Sequence, residues 1–394
     1  MHRCGEVIGR GRADLEKFLK GSVGFLLVLL AACANDPPGA GTADRPGVIE
    51  RLLADRPAPA TDVVEVWVCD VPLDTEADLY EGLTLRQPLT PEQVIASLGE
   101  RVTDYFDAVS NGAYAIGFVA GGVVPMTPTD TDATCTDAAL AASSPTSGAV
   151  LAVATAEHVA GAPGGWGRPG TSLSCADDCS ARSTGRAAYV GASDFHPDWG
   201  PVPLLDLVEH ELGHTLGLPH SGTDTAGDDE YRSALDLMSN SAAPRDVDPG
   251  RRDAPSTLAV NLLDVGWLPA DDVVIVDPAR ATAADPIEIE LSPATGADGT
   301  RLVVLAVDEH RVLTVELRTT DGFDGHLPSA GVAVHAIDDR NGTDVLRVQL
   351  PVHSTTEPFT ALLGAGAVLD VEGWRIEVQR LDATVRLAIA ATDR

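Results

Sequence analysis

Lysine is almost missing from this chain: Lys17 and Lys20 are the only two, so every basic residue beyond them is arginine. Basic residues number 27 against 59 acidic ones, a formal net charge of −32. A surface of that sign repels phosphates and anionic lipid heads, which excludes nucleic acid as an expected partner and leaves no electrostatic route to a membrane. Codon bias in a GC-rich genome accounts for the missing lysines. A long apolar run is also lacking, since Val23–Leu30 is too short to span a bilayer. No cysteines stand at paired Cys-x-x-Cys spacing, which weighs against a cysteine zinc site. Methionine occurs only at Met1, Met126 and Met238, so its position is informative.

What is present begins with an export signal. Lys17 and Lys20 precede the short apolar run, as in a secretory leader. The lead ahead of Lys17 is long for such a signal, which fits a start downstream of Met1. Leu30-Ala31-Ala32-Cys33 resembles a bacterial lipoprotein box. That resemblance implies lipidation of Cys33 and a cell-surface location, with membrane contact only through the lipid. An ordinary secretory signal is the alternative. Residues 34–60 are rich in Pro, Gly, Ala and Asp and read as a flexible tether. Apart from Cys4 and Cys33, four cysteines remain, an even number suited to two disulfides in an oxidising compartment. Three connectivities are open; Cys69–Cys135 with Cys175–Cys179 is the favoured one.

The most informative stretch is His210-Glu211-Leu212-Gly213-His214-Thr215-Leu216-Gly217-Leu218-Pro219-His220. On a helix, residues four apart lie on one face, so His210 and His214 can offer two imidazoles to one metal ion. Glu211 then sits a step round the helix, near where a metal-bound water would lie. Gly217 suits a helix end because it accepts a left-handed backbone. Pro219 bars further helix, and His220 can return as the third ligand. Three histidines leave a fourth tetrahedral position open, the mark of a catalytic zinc site. Leu205, Val208, Leu212 and Leu216 supply the apolar stripe of that helix.

The run fits H-E-x-x-H-x-x-G-x-x-H and resembles the metzincin metallopeptidases, whose pattern includes a downstream methionine turn. Leu235-Asp236-Leu237-Met238-Ser239 fits that turn, and the resemblance implies that Met238 packs beneath the metal without ligating it. Ser221 after the third histidine looks like the matrixin branch. Some metzincins carry a transition-state tyrosine two residues beyond the methionine; Asn240 stands there, so the role is vacant or filled elsewhere. The resemblance implies that zinc polarises the scissile carbonyl and activates water, with Glu211 moving the proton.

Val63–Val68 reads as a first strand. Thr90 caps a helix that starts at Pro91 and runs to about Ser110, where Asn111-Gly112 stops it. A strand from Tyr114, a short helix over 135–142 and a strand over 149–154 follow. Arg186–Ala192 comes next, and by the family layout Ala187, Ala188, Tyr189 and Val190 are the edge strand that pairs with a bound peptide. Gly161–Gly170 reads as a mobile surface loop, with part of the cleft rim as the alternative. Asp224, Asp228, Asp229 and Glu230 have oxygens suited to calcium, but their spacing fits no EF-hand and a solvated acidic loop is the favoured reading. His158 and His196 read as non-ligands.

Pro255–Asp264 looks like the closing helix of the catalytic unit and leads into Gly266-Trp267-Leu268, an ending that resembles immune-inhibitor-A-type and gametolysin-type peptidases. Beyond it, Leu313, Val315 and Leu317 alternate with Thr314, Glu316 and Arg318, and Trp374, Ile376 and Val378 alternate likewise, the period of a β-sandwich. His310, His326, His335 and His353 read as structural or exposed. The expected fold class is therefore α+β. Its expected parts are a signal peptide (1–32), a tether (33–60), a metzincin-like domain with a twisted mixed sheet and long helices (61–268), and an all-β sandwich (269–394). The expected function is a monomeric, exported zinc endopeptidase acting on proteins or peptides. The alternative is a non-catalytic surface adhesin that keeps zinc as a structural pin.

Overall fold

The β-branched run Val63–Val68 lies inside a ten-residue strand, β1 (Thr61–Asp70), as its packing preference requires. A computed structural model describes residues 47–54, 61–75, 85–157, 164–170, 185–196, 204–223, 231–338, 346–350 and 361–392. Cys33, Cys175, Cys179, His158, His353 and the acidic group Asp224, Asp228, Asp229 and Glu230 lie outside those residues.

Ahead of β1, the short α1 (Val48–Leu52) starts with Val48 donating its N–H to the Glu309 carbonyl. After β1 the chain forms two helices where one was expected: α2 (Pro91–Leu98) and α3 (Arg101–Val109). Thr90 and Gln93 close a capping box at the start of α2. Gly99 then takes φ +56° and ends it, because a left-handed residue breaks the helical ladder. Asn111 and Gly112, both at positive φ, end α3.

Next come β2 (Ala115–Pro125), α4 (Asp132–Ala142), β3 (Ala149–Ala154), β4 (Gly165–Arg168), β5 (Ala187–Val190) and α5 (Leu205–Thr215). The five strands form one sheet in the order β2-β1-β3-β5-β4. All neighbours are parallel except β4, which runs antiparallel to β5. Cys69 on β1 is disulfide-bonded to Cys135 on α4, the expected first pair.

Two corrections concern this sheet. Ala187, Ala188, Tyr189 and Val190 are not the edge: β5 lies between β3 and β4, and all four residues are buried. The edge belongs to β4, within the stretch expected to be a loop. Its sequence Gly-Trp-Gly-Arg alternates, with the glycines toward α5 and the larger side chains toward α4. Trp166 Nε1 donates to Asp132 and Arg168 pairs with Asp137 there.

The chain continues through β6 (Ser221–Thr223), α6 (Ala243–Val247) and α7 (Ala259–Asp264), the closing helix, shorter than expected. The remainder is β7 (Val273–Val276), β8 (Ile287–Leu291), β9 (Leu302–Ala306), β10 (Arg311–Arg318), β11 (Gly331–Asp338), β12 (Leu346–Leu350), β13 (Val368–Val371), β14 (Trp374–Leu381) and β15 (Val385–Ala391). They build a six-stranded sheet, β6-β12-β11-β10-β9-β7, and a four-stranded sheet, β13-β14-β15-β8. Leu313, Val315, Leu317, Val332 and Val334 of one sheet share a core with Ile289, Leu291, Trp374, Ile376 and Leu387 of the other. That is the expected alternation, with two sheets face to face.

The other face of the six-stranded sheet is buried as well. Val304, Val312, Ala333 and Ile337 join the core that contains α5, α7 and the methionine turn. Among them sits a polar layer of Glu316, Arg318, His335 and Arg347, all buried. The boundary at residue 268 is thus crossed by the chain: β6, which directly follows His220, pairs parallel with β12. The protein is a mixed α/β structure with helices around a mixed sheet and a β-rich remainder.

Candidate metal centre

The helix α5 carries His210 and His214 one turn apart with Glu211 beside His210, and Leu205, Val208 and Leu212 bury its apolar stripe. Its end is the expected one. Gly217 has φ +91°, and the N–H groups of Leu216 and Leu218 both return to the Gly213 carbonyl. The reversal brings His220 back to the first two histidines. Their Nε2 atoms converge, His210 to His220 at 3.3 Å and His214 to His220 at 2.8 Å.

The outer nitrogens determine what these inner atoms can do. His210 Nδ1 donates to the Leu237 carbonyl at 2.7 Å, and His214 Nδ1 donates to the Leu218 carbonyl at 2.8 Å. A carbonyl only accepts, so each Nδ1 holds the proton and each Nε2 presents a lone pair inward. Burial, followed by the neighbouring imidazoles, holds His210 well below its ordinary pKa and pushes His214 down to about 4. Both rings are neutral at physiological pH, as metal ligands must be. Tetrahedral ligands at 2.0–2.1 Å from a common ion stand about 3.3 Å apart; the His210–His220 spacing matches that, and the His214–His220 spacing is shorter. His210, His214 and His220 could hold a metal ion.

Glu211 is buried beside the cluster, one residue along from His210. The edge strand β4 lies against it. A Cβ on Gly165 would stand 2.9 Å from the Glu211 carboxylate, and one on Gly167 would overlap the Glu211 carbonyl and come within 2.6 Å of His214 Cβ. Only glycine lets this strand come so close to the helix. Met238 is fully buried, with its sulfur under the helix: a Cβ on Gly213 would stand 2.6 Å from Sδ. The turn before it also orients the ligands, because Leu237 supplies the carbonyl that takes the His210 proton.

Sequence reasoning missed Tyr231. Its phenolic oxygen lies 3.3 Å from His220 Nε2, with the ring 4.9 Å from the His220 ring. The expected tyrosine position, Asn240, instead closes the loop: its N–H donates to the Ser233 carbonyl at 3.0 Å. A tyrosine seven places before the methionine carries no periodic signal. Among the described histidines, His196, His310, His326 and His335 stand apart from the converging group. No known protein-family model matches this chain, and no curated protein matches it.

Proposed function

We propose that the chain is a zinc-dependent endopeptidase of metzincin type, exported and anchored through lipid on Cys33, that hydrolyses peptide bonds in extracellular proteins or peptides. The observation that carries the reading is the pairing of three converging imidazoles with Glu211, a carboxylate that is no part of the ligand set. A purely structural ion would need the ligands but not Glu211. Bound zinc supplies a Lewis acid and allows water to attack near neutral pH.

Within that reading Glu211 takes the proton of the attacking water on a carboxylate oxygen and passes it to the leaving amine. His210 and His214 hold their Nδ1 protons on Leu237 and Leu218 throughout, so their orientation does not change. The backbone of β4, whose outer edge has no strand partner among the described residues, aligns an extended peptide beside Glu211. Tyr231 donates its hydroxyl proton as a hydrogen bond to the carbonyl oxygen under attack, in the role that Asn240 cannot fill.

The deciding experiment compares Glu211→Ala with His214→Ala. Glu211→Ala keeps one zinc per chain and loses on the order of 10²–10⁴ in rate. His214→Ala loses the metal together with all activity. A zinc-loaded Glu211→Ala protein as active as wild type defeats the mechanism. Correctly processed, zinc-loaded wild type that cleaves nothing across a broad peptide library favours the alternative, a binding module with a structural ion. Cys33→Ser moves the protein from the membrane to the soluble fraction; continued sedimentation with membranes removes the lipid from the reading.

A further inference from the structure

Two chains of hydrogen bonds run from the β-rich half of the molecule, one to His210 and the other to the residue that follows His220, and both start at Arg318. This side chain is fully buried on β10, paired with Glu316 at 3.0 Å and with Asp324 at 2.7 Å. Along the first path, Arg318 Nη2 donates to the Ser256 hydroxyl, the Ser256 carbonyl accepts from Leu237 N–H at 3.1 Å, and the Leu237 carbonyl accepts from His210 Nδ1. Along the second, Arg318 Nη1 donates to the Thr257 carbonyl at 3.0 Å, and the Thr257 hydroxyl donates to Asp236 at 2.8 Å. The other oxygen of Asp236 accepts from the hydroxyl of Ser221, the residue bonded to His220.

A third connection is by backbone. Ser221 opens β6, which pairs with β12 of the six-stranded sheet, and its N–H donates to the Met238 carbonyl at 2.9 Å. His326, beyond β10, adds a fourth by reaching the Ala234 carbonyl with Nε2 at 2.8 Å. The methionine turn therefore lies between the histidines and the β-rich half, bonded to both.

We propose that Ser221, Asp236 and Arg318 are positioning residues of the metal centre, and that through them the β-rich half completes the site. This rests on the reading that the three histidines hold a metal. Groups that fix the outer side of a ligand typically account for 10–100-fold in metal affinity. Here they also join two parts of the chain into one binding unit, so the coupling works in both directions. A metal ion that tightens His210 and His220 tightens β10 and β12, and loosening Arg318 loosens the ion.

The test uses the full mature chain and zinc alone. Zinc is titrated by competition with a chromophoric chelator, and amide hydrogen exchange is followed over residues 311–318 and 346–350 with and without the ion. Wild type should bind one zinc and gain protection in both segments. Ser221→Ala should bind zinc about tenfold or more weakly while still folding cooperatively without zinc; Ser221→Thr, which restores the hydroxyl, should recover the affinity. Arg318→Lys, which keeps the charge and loses the two-way donation, should weaken zinc and uncouple the protection. Wild-type affinity in Ser221→Ala together with unchanged exchange on zinc binding overturns the inference. Should Arg318→Lys fail to fold, the serine pair and the wild-type exchange still decide. Wild type that binds no zinc sinks the metal reading itself, a different outcome.

Discussion

Gly213 lies against the sulfur of Met238, so closely that a Cβ at residue 213 would stand 2.6 Å from Sδ. The second variable residue of the His-Glu-x-x-His run is thus fixed in size by the methionine turn beneath it. Gly213→Ala should lower stability by about 1–3 kcal/mol through overpacking. Met238→Leu conserves volume and should cost less than about 1.5 kcal/mol, with zinc still bound. Because the two side chains share one space, Gly213→Ala combined with Met238→Ala should destabilise by less than the sum of the two single changes. Denaturant unfolding of the four proteins measures the coupling, and strict additivity would show that the contact is not tight.

His335 on β11 gives a pH dependence of known sign. It is buried, and neither ring nitrogen has a hydrogen-bond partner among the described residues. Burial, aided by the Arg318 and Arg347 cations, pushes its pKa down to about 3. The folded state therefore keeps this ring neutral in mild acid, while the unfolded chain takes up a proton below its ordinary value near 6.5. Stability from this group is complete above that value and is lost as pH falls, by about 1.4 kcal/mol per unit, until the folded pKa is reached. His335→Leu should match or exceed wild type at pH 7, since it removes an unsatisfied polar group. At pH 5 its advantage should have grown by about 2 kcal/mol. His210 and His214 titrate in both proteins, so the difference isolates residue 335. Equal pH slopes would count against it.

The metal site was legible in the sequence because its geometry is local. Four-residue spacing, a left-handed glycine and a proline determine where His210, His214 and His220 go with little help from the rest of the fold. The strand at 149–154 was equally plain, being short, apolar and β-prone. What stayed hidden depends on distant partners. Glycine-rich Gly165–Arg168 resembles a loop until α5 and α4 occupy its two faces. The three residues of β6 are too few to announce a strand, and β12 that pairs with them lies more than a hundred residues on. Glu316 and Arg318 alternate like solvent-facing residues, yet a second layer covers them. Tyr231 meets His220 from eleven residues along the chain, a contact that no local spacing announces.

The close approach of β4 to α5 predicts a sharp response to a single methyl group. Gly167→Ala would drive Cβ into the Glu211 carbonyl and the His214 side chain, so either β4 leaves the sheet edge or the helix shifts. A helix shift displaces the metal ligands, and departure of β4 removes the strand packed against Glu211 and His214. Zinc affinity and activity should fall together, and Gly164→Ala, one step outside the strand, serves as a poor control because Gly164 has φ +117°. Gly117→Ala is the better one, since no atom lies within 4 Å of its added Cβ. A Gly167→Ala protein with wild-type zinc affinity would mean that the strand sits further from the helix than described.

Tyr231 separates chemistry from metal binding. Its oxygen stands 3.3 Å from His220 Nε2, close enough to reach a substrate atom at the ion, while His210 and His214 take their orientation from Leu237 and Leu218 rather than from the phenol. Tyr231→Phe removes the hydroxyl and keeps the ring against His220. Zinc content and the unfolding midpoint should therefore stay near wild type. If the hydroxyl stabilises charge on the carbonyl oxygen only in the transition state, kcat should fall by about 10²–10³ with KM little changed. A tetrahedral phosphonate peptide should lose affinity by a similar factor, whereas a ground-state peptide bound to Glu211→Ala should not. A loss confined to KM would assign the phenol to substrate binding instead, and a loss of zinc would assign it to the ligand set.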